Sequence, residues 1–243
     1  MRIYQSISLS KNQIIRLDEK GGHYIARVLR ARVGDSLVLF NGEGGEYEAE
    51  ITRLDKKGVE VKLISFLERE VESSIHIDLA QGIARGEKMD FIVQKATELG
   101  VKKIFPLITA RFQGKLKEEQ KEKRLIHFRS VIASACEQCG RNQLPDMPGI
   151  WTFNEWLFNV KADYRFVLHP RAENKSLPSL PEQFPKNTSI AVLIGPEGGL
   201  TEEEMTKALQ HGFLPLQLGP RILRTETATL AILAILQSRY GDM

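Results

Sequence analysis

Cysteine is scarce in this sequence, which has only two cysteines among its 243 residues, Cys136 and Cys139. Two cysteines are too few for a disulfide framework, and their spacing would point both along one face of a helix. A zinc site would need two further ligands, and only His127 lies near in sequence. We therefore expect both thiols to pack against other side chains, and we expect no bound metal.

Long apolar runs are also absent. The longest, LAILAIL at residues 230–236, is far shorter than a membrane span, and the first ten residues, MRIYQSISLS, lack the apolar segment of a secretion signal. These absences predict a cytoplasmic protein with no membrane partner. Hydrophobic residues still make up 42% of the chain, which is ordinary for a protein with a packed core.

Positive charge is in small excess and unevenly distributed. The net charge is +3, but residues 102–129 contain nine lysines and arginines against three glutamates. Such a cluster attracts a phosphate backbone. It is equally typical of a solvated helix face with charge pairs such as Glu119 and Lys123. The cluster alone does not decide between these interpretations.

Short alternating segments with glycine-bearing turns dominate the first 70 residues, a pattern typical of a small β-barrel. Residues 21–35 precede most of these segments and place Ile25, Val28 and Leu29 on one face of a predicted helix. We therefore predict a barrel domain over residues 1–72. The predicted strands are 37–42, 45–55 and 58–66.

Strands and helices alternate from residue 75 onwards. This order predicts an α/β domain over residues 73–243, with a mostly parallel sheet and helices on both faces. Thr201 and Glu204 form a predicted capping box at the start of one helix, with Leu209 on its inner face. The predicted strands are 75–82, 102–108, 164–170, 189–196 and 213–220, and the predicted helices include 87–100 and 124–140.

Three strands of this domain run into proline or glycine corners, which read LHP, IGPEGG and LGPRILRTET. Ligands of open α/β sheets bind outside the carboxyl ends of the strands. Glycines let main-chain groups approach a ligand closely, so such loops can recognise a purine and a ribose. Neither phosphate-binding glycine motif is present, which predicts a ligand without a polyphosphate. The alternative is that the corners are only tight turns.

Five stretches, in order over almost the whole chain, resemble the RsmE family of the SPOUT superfamily. They read HYIARVLR, RGEKMDFIVQKATELGV, CEQCGR, LIGPEGGL and LGPRILRTETA. The last two are specific in combination. The stretch TARFQGKL at 109–116 departs from the family pattern, which puts any role of Arg111 in doubt.

The resemblance implies the fold, the reaction and the assembly. It implies a PUA-like barrel that binds RNA and a SPOUT-type α/β domain whose C-terminal segment is threaded into a trefoil knot, an arrangement that sequence periodicity cannot show. It further implies a homodimer that binds S-adenosylmethionine at the knot. The implied reaction is methylation of N3 of a uridine in 16S ribosomal RNA of the small ribosomal subunit.

The resemblance and the corner loops together give the candidate binding residues. His169 has the alternative role of a hydrogen-bonded residue at a strand end, and each candidate RNA contact taken singly can be a plain surface charge. The candidate cofactor contacts are Leu168, His169, Gly195, Pro196, Glu197, Gly198, Gly199, Leu218, Gly219, Ile222, Leu223 and Thr225. The candidate RNA contacts are Arg2, His23, Arg27, Arg30, Arg85 and Lys88.

Two charged residues of the RILRTET loop are the candidate catalytic groups. Methylation of uridine N3 requires loss of its proton, so a base near N3 and a cation near the ring oxygens would help. We expect Arg224 to be the cation and Glu226 to be the base or to hold the arginine. Glu226 alternatively complements a helix dipole, and Arg224 alternatively forms a salt bridge with Glu226 or Glu197.

Two other functions remain compatible with parts of the sequence. A non-catalytic RNA-binding protein would need the barrel and the basic segment but neither C-terminal corner. An ordinary nucleotide-using enzyme would need phosphate loops, which the sequence lacks. Binding of S-adenosylmethionine or of ATP would distinguish these functions.

Overall fold

The computed structural model describes residues 1–170 and 182–243, which form two compact units. The first unit contains residues 1–72 and 133–144, and the second contains residues 73–132 and 145–243. The predicted second domain included 133–144. This segment belongs instead with the first unit because its polar side chains bond there: Arg141 Nε donates to Glu72 Oε1 at 3.0 Å, and Asn142 Nδ2 donates to the carbonyl of Arg69 at 3.2 Å.

The first unit is built on one five-stranded sheet in the order β1-β3-β4-β5-β2. β1 pairs with β3 in parallel, and the other pairs are antiparallel. The three strands predicted from alternation are confirmed as β3, β4 and β5. Alternation could not find β1 and β2 because each has only three residues. The strands are β1 Arg2–Tyr4, β2 Ile14–Arg16, β3 Ser36–Phe40, β4 Glu46–Asp55 and β5 Gly58–Leu67.

A short helix, α1 Glu19–His23, continues into a π-helical turn at Tyr24–Val28. The predicted helix over 21–35 therefore ends early, and its predicted apolar face is wrong in part: Ile25 is buried, but Val28 is 58% exposed. The reason is the wider turn, in which the amide of Leu29 bonds to the carbonyl of Tyr24 at 3.0 Å. A repeat of five residues per hydrogen bond shifts the positions that a 3.6-residue period would align.

The second unit contains a six-stranded parallel sheet in the order β11-β9-β10-β6-β7-β8. The parallel sheet is confirmed. The predicted strand at 213–220 is confirmed only over β11 and a bridge at residue 217, so residues 218–224 are loop. The strands are β6 His76–Gly82, β7 Lys103–Ile108, β8 Trp151–Thr152, β9 Tyr164–Leu168, β10 Ser189–Ile194 and β11 Leu214–Leu216.

Within the described ranges, five helices accompany this sheet. The helix predicted at 87–100 is confirmed over Lys88–Glu98, where Met89, Ile92, Val93 and Ala96 are buried. The capping box of Thr201 and Glu204 is also confirmed, although Leu209 is 46% exposed and does not face inward as predicted. The helices are α2 Lys88–Glu98, α3 Glu118–Cys139, α4 Phe153–Asn159, α5 Glu202–Gln210 and α6 Thr225–Tyr240.

The two cysteines lie near the C-terminal end of α3. Cys136 is buried and Cys139 is partly buried, and burial raises the pKa of the Cys136 thiol to about 12. Within residues 1–170 and 182–243, no group of three or more His, Cys, Asp or Glu side chains is arranged to hold a metal ion. No helix in the same ranges is both long and apolar enough to span a membrane.

Candidate functional site

Three loops leave the same edge of the parallel sheet. Val167 of β9 pairs with Leu193 of β10, and Leu168 of β9 pairs with Leu216 of β11, so the three strands end side by side. The amide of His169 donates to the carbonyl of Leu216 at 3.0 Å. The glycine and proline corners that follow these strands are therefore neighbours, as the sequence predicted.

A buried hydrogen-bond network joins two of these loops. The hydroxyl of Thr225, at the start of α6, donates to the carbonyl of Gly195 at 2.7 Å. Gln81 of β6 is fully buried, and its Nε2 lies 3.0 Å from Thr225 Oγ1 and 3.3 Å from the Gly195 carbonyl. Its Oε1 accepts from the Thr229 hydroxyl at 2.7 Å. The network fixes the RILRTET loop against the GPEGG loop.

Sequence reasoning missed Gln81 and Thr229, although both carry a signal. Each is a polar residue within an apolar element, and buried polar groups almost always have hydrogen-bond partners. A glutamine in the strand IHIDLAQG and a threonine in the helix TATLAILAIL therefore indicated partners in other parts of the chain. The sequence did not predict that Gln81 and Thr229 would bond to each other.

Tight packing of backbone against backbone explains why glycine is needed at two positions. A Cβ atom on Gly195 would lie 2.7 Å from the carbonyl carbon of Gly199, and one on Gly82 would lie 2.6 Å from the nitrogen of Pro196. Neither neighbour is a side chain that could move aside. The GPEGG loop is thus held closely against the end of β6.

Lys88 links the charged groups of the two loops. Its Nζ lies 3.3 Å from Glu197 Oε1 and 4.0 Å from Glu226 Oε2. The Arg85 amide also donates to Glu197 Oε1 at 3.0 Å. Burial disfavours ionisation of Glu197, but the hydrogen bonds from the backbone N–H groups of Arg85 and Glu197 and from the Lys88 ammonium outweigh it and lower its pKa. The structure thus brings predicted RNA, cofactor and catalytic residues together.

The two predicted catalytic residues differ in their surroundings. Oε2 of Glu226 is buried and has no hydrogen-bond partner within the described parts of the chain. Arg224 is exposed and precedes the first turn of α6. Among the described residues, the salt bridge with Glu226 or Glu197, the alternative role of Arg224, is not formed. Lys88 lies beside both carboxylates.

A cavity of about 710 Å³ opens at the loops that follow β6, β7 and β10. Pro196, Glu197 and Gly198, three of the predicted cofactor contacts, line it together with Arg85. The lining contains none of the residues predicted from the other two corners, which are Leu168, His169, Leu218, Gly219, Ile222, Leu223 and Thr225.

The predicted RNA contacts of the first unit fall into two groups. Arg2 is engaged inside the unit: it pairs with Glu46, donates to Asn142 Oδ1 at 2.5 Å, and lies 4.7 Å from the centre of the Phe40 ring. Its role as an RNA contact is therefore not supported by its surroundings. His23, Arg27 and Arg30 are exposed along and just beyond the π-helical turn, next to the exposed ring of Tyr24.

Two family descriptions match the chain. One, an RNA methyltransferase domain, matches residues 71–237, and the other, an RNA methyltransferase PUA domain, matches residues 17–64. The sheet orders, the three-loop edge and these matches together define an RNA methyltransferase with a PUA domain.

Relatives in bacteria narrow this class. The ribosomal RNA small subunit methyltransferase E of Buchnera aphidicola from Schizaphis graminum is 36% identical over 100% of this chain and 97% of its own. That of Bacillus subtilis is 30% identical over 94% of this chain and 93% of its own. The chain belongs to the ribosomal RNA small subunit methyltransferase E family.

Solved structures agree with this placement. A methyltransferase from Legionella pneumophila, solved with bound SAM, has a TM-score of 0.94, 42% identity, and coverage of 100% of this chain and 98% of that chain. The ribosomal RNA small subunit methyltransferase E of Neisseria gonorrhoeae, solved with S-adenosylmethionine, has a TM-score of 0.90, 34% identity and the same coverage.

Proposed function

We propose that this chain transfers the methyl group of S-adenosylmethionine to N3 of a uridine in 16S ribosomal RNA of the small ribosomal subunit. The observation that carries the proposal is the buried network of Gln81, Thr225 and Gly195, which holds two corner loops together at the edge of a parallel sheet. Family membership supplies the reaction.

The residues of the three corners fit S-adenosylmethionine. Gly219 has a φ of 72°, and no heavy atom lies within 4 Å of the position that a Cβ would take, so space is open beside the loop. Ile222 is 75% exposed, and Leu223 is partly exposed; both are apolar side chains able to cover a purine ring. Main-chain groups around His169, Gly195 and Leu218 would bind its polar edges. We propose all twelve predicted cofactor residues as its surroundings.

Chemistry assigns different tasks to Glu226 and Arg224. S-adenosylmethionine supplies an electrophilic methyl group and leaves as a neutral thioether, so the protein must position the acceptor and manage its proton. Oε2 of Glu226 is buried without a hydrogen-bond partner in the described ranges and would accept the N3 proton. The Nζ atom of Lys88 lies 4.0 Å from this oxygen. The Arg224 guanidinium would stabilise negative charge on the ring oxygens.

We further propose that the exposed side chains of His23, Arg27 and Arg30, with Arg85 and Lys88 of the second unit, contact the RNA. Arg2 is omitted because its guanidinium is engaged with Glu46 and Asn142.

The same proposal includes a trefoil knot, a homodimer and a cytoplasmic location. Support for the knot comes from the order of the sheet: β11 lies outside β9, and α6 then returns to pack against α2 and β10. Support for the dimer comes from a second apolar face of α6, on which Leu230, Ala231, Ala234 and Ile235 remain partly exposed.

Two measurements test the proposed function. Calorimetry should detect binding of S-adenosylmethionine and none of ATP. Mass spectrometry of 16S ribosomal RNA from a deletion strain should show one missing 3-methyluridine, restored by the wild-type gene. Binding of ATP alone would favour a nucleotide-using enzyme, and RNA binding without S-adenosylmethionine binding would favour a non-catalytic adaptor.

A further inference from the structure

The cavity of about 710 Å³ is bordered by five elements of the second unit. Loops after β6, β7 and β10 supply three walls, the first turn of α2 supplies a fourth, and the middle of α3 supplies the last. Its volume falls within the range of pockets that bind small organic molecules. Loop 195–199 is common to this cavity and to the proposed S-adenosylmethionine site.

The cavity combines apolar surface with cations. Met89, Phe112 and Phe128 line it; Met89 and Phe128 are buried, and Phe112 is partly exposed. Arg85 and Arg124 are exposed in its lining. A cavity lined by aromatic and apolar side chains and by arginines suits a flat ring that carries a phosphate.

The acidic side chains of the lining are already paired. Asp90 Oδ2 lies 2.7 Å from His127 Nε2, and Glu197 Oε1 lies 3.3 Å from Lys88 Nζ. Arg111, a third arginine of the lining, donates to the carbonyl of Gly198 and so supports the wall. The guanidinium of Arg124 forms no ion pair within the described residues, so the cavity retains positive charge for an anion.

The cavity is linked to the predicted base through one lysine. Lys88 contacts Glu197, which lines the cavity, and lies 4.0 Å from Glu226 Oε2. A methyl acceptor must come within about 3–3.5 Å of the methyl group. A nucleotide in the cavity would lie beside loop 195–199, and a single lysine, Lys88, separates Glu197 of that loop from Glu226.

We infer that this cavity binds an unstacked pyrimidine nucleotide of the substrate RNA, with its ring against Phe112 and a phosphate on Arg124. The inference rests on the proposed function. It adds the site at which the RNA strand binds and the residues that contact it. Unstacking is required because an enzyme cannot reach N3 of a uridine that is stacked and paired.

Binding of a fluorescein-labelled pentauridylate, followed by anisotropy, tests the inference without turnover. Phe112→Ala should weaken binding about tenfold, the typical effect of losing one base-stacking ring. Arg124→Gln should weaken it and reduce the slope of log Kd against log salt concentration by about 0.7, because one phosphate contact is lost. Lys123→Ala, a change to an exposed neighbour on α3, is the matched control and should alter Kd less than twofold.

A second readout separates this inference from the proposed function. In methylation assays on small ribosomal subunits, Phe112→Ala and Arg124→Gln should raise the KM for subunits while calorimetry shows an unchanged Kd for S-adenosylmethionine. If the wild-type protein methylates the subunits and both variants behave like Lys123→Ala, the cavity assignment is overturned and the proposed function stands. If the wild-type chain binds no S-adenosylmethionine but the oligonucleotide results hold, the proposed function fails and the cavity assignment stands.

Discussion

Gln81 is the residue on which the geometry of the site most depends. Its side-chain amide contacts the GPEGG loop and the start of α6 at once. Gln81→Leu removes these bonds but keeps a side chain of similar size. We expect it to lower the free energy of unfolding by about 1–3 kcal/mol and to weaken S-adenosylmethionine binding, because the two loops lose their shared partner. Urea denaturation and calorimetry would measure the two effects.

Gln94→Leu is the control for this substitution because Gln94 is exposed on α2. It should leave both quantities nearly unchanged. A Gln81→Leu protein that binds S-adenosylmethionine as tightly as the wild type would show that the network supports the fold without ordering the ligand site.

Glu226 can be a base or a dipole-complementing residue, and the two roles predict different results. As a base, Glu226→Gln should lower kcat by about 10²–10⁴-fold with little change in the Kd for S-adenosylmethionine. As a dipole partner it would affect stability by only about 0.3–1 kcal/mol and leave kcat intact. Single-turnover methylation and thermal unfolding would be compared with those of Glu202→Gln, an exposed acid in the first turn of α5.

At the scale of elements, strand β6 contains an acid whose charge opposes folding. Burial raises the pKa of Asp78 to about 6, and the Asp146 carboxylate adds to the rise, while Lys103 and Lys102 oppose it. Because the folded pKa lies above the unfolded one, stability falls as the pH rises from about 4 to 6 and stays lower above that. Asp78→Asn should therefore stabilise the protein at pH 8 by about 1–3 kcal/mol, with no difference near pH 3.5, as measured by urea denaturation.

Asp163 provides a control of opposite sign. Hydrogen bonds from the hydroxyl and amide of Ser189 hold its pKa below the usual value. Stability from this group is present above the unfolded pKa and is lost in acid, so Asp163→Asn should destabilise at pH 8. Equal behaviour of the two variants would contradict the assignment of burial as the cause at Asp78.

Helices and strands were predictable where one periodic sequence pattern extended over enough residues. The helix predicted at 87–100 and the capping box of α5 each rest on a repeat or spacing within a single element, and both are confirmed. The start of α3 was placed at residue 124, six residues late, because its first turns are polar and exposed and show no apolar period. The π-helical turn at Tyr24–Val28 does not follow the 3.6-residue period of an α-helix, so the burial of Val28 was predicted wrongly.

Relations between distant elements were less predictable. That the corners meet follows from the rule for parallel strands, which the sequence supported. That Gln81 and Thr229 bond to each other does not follow, because they are 148 residues apart and no local pattern joins them. The segment 133–144 shows the same limit: it continues a helix of the second unit, yet its polar side chains bond within the first.

The proposed homodimer is a property of the whole molecule and can be tested on α6. One face of this helix is buried, including Ile232, Leu233 and Leu236, whereas Ala231 and Ala234 are only partly buried. A monomer gains nothing from a second apolar face in contact with water, but a dimer would cover it. Ala234→Arg places a charge there and should give a monomer, because burying an unpaired charge is costly. Light scattering after gel filtration would measure the mass.

Ser238→Arg, an exposed change one turn further along the same helix, is the control and should remain dimeric. Ser238→Arg should keep the wild-type unfolding temperature. Ala234→Arg should still unfold in one cooperative transition, because Ala234 lies outside the buried face, but at a lower temperature because the monomer lacks the stabilisation of the interface. A stable Ala234→Arg chain with the same mass as the wild type would show that α6 does not form the interface. If the wild type is a dimer and Ala234→Arg is a monomer that methylates less, dimer formation is required for full activity.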